Sequence, residues 1–250
     1  MTIDADCHLA ARSDGFAISA DQLVALLDTN SVEKAICWPM AAPMHDITED
    51  NTAIYEGSKR YPERLIPFGG VNPRLGLESA LDEITRCHNF GFRGIKLNGA
   101  RDGYFVDDPG LSMPIIEKIA GYGMAVAFHC GANDFERTHP YRVAKVAATF
   151  PETLVMMVHM GGAGIPSLHA AAVEFAAQHA NIVLVDSEAQ PNWILKAIKT
   201  LGASRVCYGS DAPFQLIHVM LAMHHALLRD CTVDERALVM GGNIQRLLSI

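Results

Sequence analysis

Short apolar runs alternate with amphipathic stretches from one end of the chain to the other. The runs 3–8, 34–39, 65–71, 94–98, 124–130, 154–159, 182–185 and 205–208 are of strand length, and most are rich in Val, Ile, Phe or Ala. That composition is the one expected of parallel strands covered on both faces. Helical periodicity fills the gaps between them. Residues 19–28 place Leu23, Leu26 and Leu27 on one face behind Ser19, a side chain suited to cap the first turn. Further helices are predicted over 50–61, 77–90, 111–122, 141–150, 167–178, 191–201, 216–228 and 234–248. The one at 191 opens on Pro191, whose missing N–H costs nothing in a first turn. Eight strands with helical crossovers predict a single closed (β/α)8 TIM barrel over residues 1–250, a length close to the ~250 usual for that fold. An open doubly wound sheet is the alternative, but no G-x-G-x-x-G follows a strand to mark its nucleotide-binding form.

Composition narrows the classes of partner. Half of the residues are hydrophobic, enough for a large core, yet no long apolar stretch is free of charges and breakers. A net charge of −8 argues against nucleic acid, whose phosphates need a basic face. The opening residues hold Asp4 and Asp6 and no basic cluster before an apolar run, so no signal peptide is expected. Six cysteines occur without a C-x-x-C pair, several of them inside apolar strands, which points to free buried thiols in a reducing cytoplasm. The expectation is a cytoplasmic protein with a small-molecule substrate and no membrane contact. The apolar helices after the last strand leave a homodimer open.

In a barrel of this kind, polar residues at strand C-termini form the site. The first strand ends Asp6-Cys7-His8, and a period of two puts Asp6 and His8 on one face, with Asp4 deeper on the same face. The fifth ends on His129 and the sixth on His159, before Gly161-Gly162. The eighth runs into Gly209-Ser210-Asp211-Ala212-Pro213, where Asp211 is either a site residue or an ordinary helix cap. Each signal is weak alone. Together Asp6, His8, His129 and Asp211 gather nitrogen and carboxylate ligands at one barrel end, a set suited to zinc or another divalent transition ion with an open position for water. His159 would flank that water as acid, base or electrophile. Lys96, at the end of the fourth strand, reads as an ammonium for an anionic substrate or as a lysine reaching out from the rim. Arg74 and Arg101 are further candidates to hold a carboxylate. Glu188 and Trp38 also end strands, whereas His218, His224 and His225 lack the spacing of a helical zinc pair and are expected to pack or face solvent.

These segments resemble the amidohydrolase superfamily, in particular its amidohydrolase-related branch. The resemblance rests on Ile3 to His8, Gly94-Ile95-Lys96-Leu97, Phe128-His129-Cys130-Gly131, Val158-His159-Met160-Gly161-Gly162, Tyr208 to Pro213 and the ending Gly242-Asn243-Ile244-Gln245-Arg246-Leu247-Leu248. It covers essentially the whole chain, in family order. It implies a distorted barrel with one or two divalent ions, zinc first and manganese second, with one ion favoured here. It also implies that His129 ligates, that His159 ligates or polarises substrate, and that Asp211 ligates and shuttles a proton. Relatives with two ions bridge them through a carbamylated lysine, a role that would fall on Lys96. The usual first-strand pair is His-x-His, and Asp6 replaces its first member, which puts metal identity and affinity in question.

The leading expectation is a metal-dependent hydrolase, in which metal-activated water attacks a small carboxylated amide or lactone. Asp211 would move the proton and His159 would stabilise the oxyanion. The alternative is a non-oxidative decarboxylase or hydratase of small aromatic or unsaturated acids on the same site. A second alternative is a non-catalytic or metal-independent barrel.

Overall fold

The computed structural model describes residues 1–11, 18–40, 46–132 and 134–250. Its strands are β1 (Ile3–Leu9), β2 (Lys34–Pro39), β3 (Leu65–Gly70), β4 (Gly94–Leu97), β5 (Ala125–Phe128), β6 (Val155–Met157), β7 (Ile182–Val185) and β8 (Val206–Cys207). They lie in sequence order and every pair is parallel. Closure comes from Ala5 N–H donating to the Tyr208 carbonyl at 2.9 Å and His8 N–H donating to the Ala212 carbonyl at 2.8 Å. The protein is a (β/α)8 barrel, as the alternating pattern predicts.

The helices are α1 (Ala20–Thr29), α2 (Thr48–Arg60), α3 (Leu77–Asn89), α4 (Gly99–Asp102), α5 (Ser112–Gly121), α6 (Phe135–Thr138), α7 (Pro140–Thr149), α8 (Leu168–Gln178), α9 (Pro191–Leu201), α10 (Ile217–Leu227), α11 (Val233–Ala237) and α12 (Asn243–Leu248). Ser19 caps α1 in a reciprocal box with Gln22. The short α4 and α6 escape the pattern because one turn shows no periodicity. The single helix predicted over 234–248 is broken between α11 and α12 at Gly241 and Gly242. A side chain on Gly241 would meet the backbone nitrogen of Ile3 at 2.8 Å, so this approach of the chain to β1 needs glycine.

Two apolar layers organise the core. Ile36, Phe68, Ala127, Met156 and Val185 fill the barrel lumen, and Ile244 and Leu248 of α12 join that cluster. A larger layer, including Leu27, Ile54, Ile84, Ile119 and Ile194, lies between strands and helices. β1 contributes to both. Ile3 and Ala5 belong to the lumen and Cys7 and Leu9 to the outer layer. The register slips between Asp4 and Cys7, a bulge that places one extra residue on β1. Strict alternation therefore fails, and Asp4 does not share a face with Asp6 and His8. Its Oδ1 instead accepts from the N–H groups of Asp6 (3.1 Å) and Ser210 (2.8 Å). Burial pushes the Asp4 carboxyl up to about 6, against the pull of its Ser210 hydrogen bonds.

All six cysteines are free thiols. Among the described residues no helix is long and apolar enough to cross a membrane.

Lys96 is carried by a strand that tolerates no side chain at its first residue. A Cβ on Gly94 would lie 2.2 Å from Phe68 Cε1 and 2.7 Å from the Ala125 carbonyl oxygen. Gly94→Ala should lower stability by about 1–3 kcal/mol, the usual cost of overpacking a dense core. Urea unfolding checks this, and an unchanged midpoint would contradict the packing described.

Candidate active site

The polar residues of the site sit where the strands run out. β1 delivers Asp6 and His8, β2 Trp38, β4 Lys96, and the segments after β5 to β8 deliver His129, His159, Ser187 and Asp211. Four residues in these segments hold left-handed backbone: His159 (φ 58°), Met160 (φ 43°), Glu188 (φ 57°) and Asp211 (φ 61°). Such a conformation is uncommon outside glycine and gathers at functional sites. At β6 it shortens the predicted strand. The chain turns at His159 and Met160, then passes Gly161, where a Cβ would strike Pro140 Cγ at 2.6 Å and Ala172 Cβ at 2.8 Å.

Asp6 is the centre of the cluster and is fully buried. Its Oδ1 lies 3.4 Å from Lys96 Nζ and 3.3 Å from His8 Nε2. Its Oδ2 accepts from the Ser187 hydroxyl at 2.5 Å and lies 3.6 Å from His159 Nδ1. Burial pushes this carboxyl up, but Lys96, His8 and His159 outweigh it and hold it well below the usual carboxylate range. His8 Nε2 also lies 3.2 Å from Asp211 Oδ1 and 3.4 Å from the Trp38 indole nitrogen. Burial and Lys96 pull His8 down, and its bonds to Asp211 and Asp6 more than reverse that, so it is raised. Lys96 is lowered by burial, partly offset by Asp6, and its ammonium stands 3.9 Å from the centre of the Trp38 ring. These are the contacts of a cation, and a carbamate there would lose them.

His159 Nε2 faces His129 Nδ1 at 3.2 Å. Burial, then His159 and Lys96, hold His129 well below its ordinary value. His129 Nε2 and His8 Nδ1 are buried with no hydrogen-bond partner among the described residues. Buried polar atoms seldom stay unpaired without a reason.

Asp211 is not a helix cap. α10 begins six residues later behind Leu216, while the Asp211 side chain turns to His8. Arg74 is exposed, donates to the Gly103 carbonyl at 3.2 Å and does not line the cavity, so the structure does not bring it to the site. Arg101 does line the cavity, with its guanidinium held twice by Asp102 at 2.7 Å. The cavity holds about 300 Å³ and is walled by His8, Lys96, Asn98, His129, His159, Glu188 and Asp211, with Pro39, Met40 and Phe214 as apolar surface.

Ser187, Asp186 and His224 escape the sequence reading. The triplet Asp186-Ser187-Glu188 directly after β7 is a legible signal, being polar at a strand end. His224 gives none, because the link to Asp186 spans 38 residues. Its Nε2 lies 2.9 Å from Asp186 Oδ2 and its Nδ1 2.8 Å from the Met220 carbonyl, with the Tyr208 ring edge-on. Asp186 Oδ1 also accepts from Gly209 N–H at 3.1 Å. This buried pair ties β7, β8 and α10 together directly behind Ser187.

The donor set fits a divalent ion. Asp6, His159 and Asp211 offer ligand atoms within 4.8 Å of one another. His8 Nε2 lies 3.3 Å from Asp6 Oδ1 and 3.2 Å from Asp211 Oδ1, and His129 Nε2 is buried with no partner among the described residues. Mixed imidazole and carboxylate ligands suit first-row divalent metals.

Eight parallel strands with this polar cluster at their carboxyl ends define a TIM-barrel enzyme architecture. The amidohydrolase family profile matches residues 3–250, and the chain belongs to that enzyme family. No curated protein matches it in sequence. Solved structures match across their full length. A 2,6-dihydroxybenzoate decarboxylase from Rhizobium is 18% identical with a TM-score of 0.81, covering 99% of this chain and 98% of that one. The 5-carboxyvanillate decarboxylase of Novosphingobium aromaticivorans DSM 12444, complexed with manganese and 4-hydroxy-3-methoxy-5-nitrobenzoic acid, is 18% identical with a TM-score of 0.81, covering 100% and 96%. A dihydroxybenzoic acid decarboxylase from Polaromonas sp. JS666, with bound manganese and 2-nitroresorcinol, is 18% identical with a TM-score of 0.79, covering 99% and 96%. At these identities the likeness is one of fold.

Both ring nitrogens of His224 face acceptors, so the ring is satisfied only when both carry hydrogen. Burial lowers it, but the Asp186 carboxylate wins and the net shift is upward. A raised folded value means that the stabilisation is complete below the unfolded value of ~6.5 and fades as pH climbs through the folded one. His224→Gln should cost about 3–5 kcal/mol at pH 6, the range for breaking a buried pair, and the gap from the parent should narrow by pH 9. Urea melts at the two pH values test this; a gap that stays constant or widens would contradict a charged pair.

Proposed function

We propose that the protein is a divalent-metal-dependent, non-oxidative decarboxylase of a small hydroxylated aromatic acid. The observation that carries this reading is the cavity. About 300 Å³, walled by Phe214, Pro39 and Met40 over a floor of acid–base groups, suits one flat ring. The three decarboxylases named above act on such acids, two of them with manganese bound, which favours manganese over zinc as the ion to test first. Hydrolysis of a carboxylated amide or lactone would use the same groups, but those neighbours support decarboxylation better.

Asp6, His8, His129 and Asp211 are the residues assigned to the ion. Bound there, it supplies Lewis acidity toward the oxygens of the substrate. Lys96 and, at the rim, Arg101 offer positive charge to the acid. Asp211, in the cavity wall, would take up a proton from solvent and deliver it to the ring carbon that bears the carboxylate. The carbon–carbon bond then breaks, CO2 leaves, and its electron pair restores the aromatic ring. His159, 3.2 Å from His129 and lining the cavity, would orient the substrate's hydroxyl or accept its proton. The apolar walls keep bulk water from the reacting carbon.

With manganese supplied, the protein should release CO2 from 2,6-dihydroxybenzoate or a related ortho-hydroxy acid. Capture of CO2 with chromatography of the phenol checks this. Turnover of lactones or amides with none on the acids would restore the hydrolytic reading. Asp211→Asn should keep its melting temperature, because asparagine tolerates left-handed backbone, and lose about 10²–10⁴-fold in kcat. A variant that turns over at the parental rate would remove Asp211 from proton transfer.

A further inference from the structure

Ser187 stands between Asp6 and His159. It is fully buried, its Oγ is 2.5 Å from Asp6 Oδ2 and 2.9 Å from His159 Nδ1, and it does not line the cavity described above. Its position is fixed from both sides. Asp186 is anchored by Gly209 N–H and His224, and Glu188 turns the chain at φ 57°.

A hydroxyl has one hydrogen to give. The Asp6 carboxylate, an acceptor only, takes it at 2.5 Å. Ser187 Oγ then faces His159 Nδ1 with a lone pair, so Nδ1 must be the nitrogen that carries the ring hydrogen. Between His159 Nε2 and His129 Nδ1, 3.2 Å apart, one hydrogen is required. With His159 Nε2 bare, His129 Nδ1 donates it. His129 is left with a lone pair on Nε2, the buried nitrogen that has no partner among the described residues. The reverse arrangement would strand an N–H there, away from any acceptor among those residues.

We infer that Ser187 is a positioning residue: its hydroxyl sets the hydrogen order along Asp6, His159 and His129 and so presents His129 Nε2 as an unprotonated ligand atom. This rests on the assignment of His129 to the ion, but the hydrogen order belongs to the metal-free chain and is measured without turnover. Groups that hold a ligating histidine in one tautomer through its other nitrogen commonly matter to affinity about as much as 10–100-fold.

The experiment is long-range proton–nitrogen correlation on metal-free protein labelled with 15N-histidine, with signals assigned by single histidine replacements. In the parent, His159 and His129 should both carry hydrogen on Nδ1. In Ser187→Ala that pattern should be lost or mixed, and manganese affinity, read by the electron paramagnetic resonance of free Mn2+, should fall about 10–100-fold. Ser187→Thr keeps the hydroxyl and should restore both. Hydrogen on His129 Nε2 in the parent overturns the inference, and so does a Ser187→Ala protein with the parental pattern and affinity. Should the alanine variant fail to fold, the parental spectrum and the threonine variant decide the matter. Absence of CO2 release from a parent with the expected hydrogen order would count against the decarboxylase reading alone.

Discussion

A single carboxylate with no access to water organises this barrel. Asp6 lies in the lumen among apolar side chains, where an isolated charge would be prohibitively costly. It persists because Lys96, His8, Ser187 and His159 surround its two oxygens. His8 is a neighbour on β1, but Lys96 comes from β4 and His159 and Ser187 from beyond β6 and β7, so the charge is fully satisfied only once the barrel has closed. The same convergence that makes the carboxylate tolerable makes the site.

Around that carboxylate the chain accepts local cost for direction. A bulge on β1 breaks the alternation so that His8 reaches the cavity and Asp6 the buried cluster beneath it, while Asp4 serves the backbone of Ser210. His159, Glu188 and Asp211 take up left-handed backbone at the ends of three successive strands. Each such residue costs on the order of 1 kcal/mol or more, and the dense packing behind it holds it in place. Asp186 and His224 are part of that backing, joining β7, β8 and α10 behind the reacting face.

The charges on the site oppose one another in a way that matters for a metal. Lys96 attracts Asp6 and depresses His129, while Asp211 and Asp6 together raise His8. In the metal-free chain the positive charge demanded by two carboxylates is met by an ammonium and an imidazole. An ion held here would take the place of a proton and meet a lysine already present. The aspartate in the first-strand position thus sets the charge balance of the site.

Much of the fold could be read from the chain alone, because parallel strands buried on both faces leave apolar runs that local pattern detects. His8, His129, His159 and Asp211 were legible for a related reason: a polar residue closing an apolar run has few structural uses. The bulge in β1 was not, since register is decided between strands, and so Asp4 was assigned to the wrong face. Nor was the break at Gly241, which answers to the nearness of Ile3 and not to its own neighbours. Arg74 and Arg101 look alike in sequence, yet one binds a distant carbonyl at the surface and the other lines the cavity. Ser187 and His224 depend on partners 181 and 38 residues away. Sequence determines which residues bury and which strands form, because burial and periodicity are local. Which polar atoms meet, and which nitrogen is left free, only the closed barrel decides, because hydrogen bonds act over about 3 Å between segments that the chain itself keeps far apart.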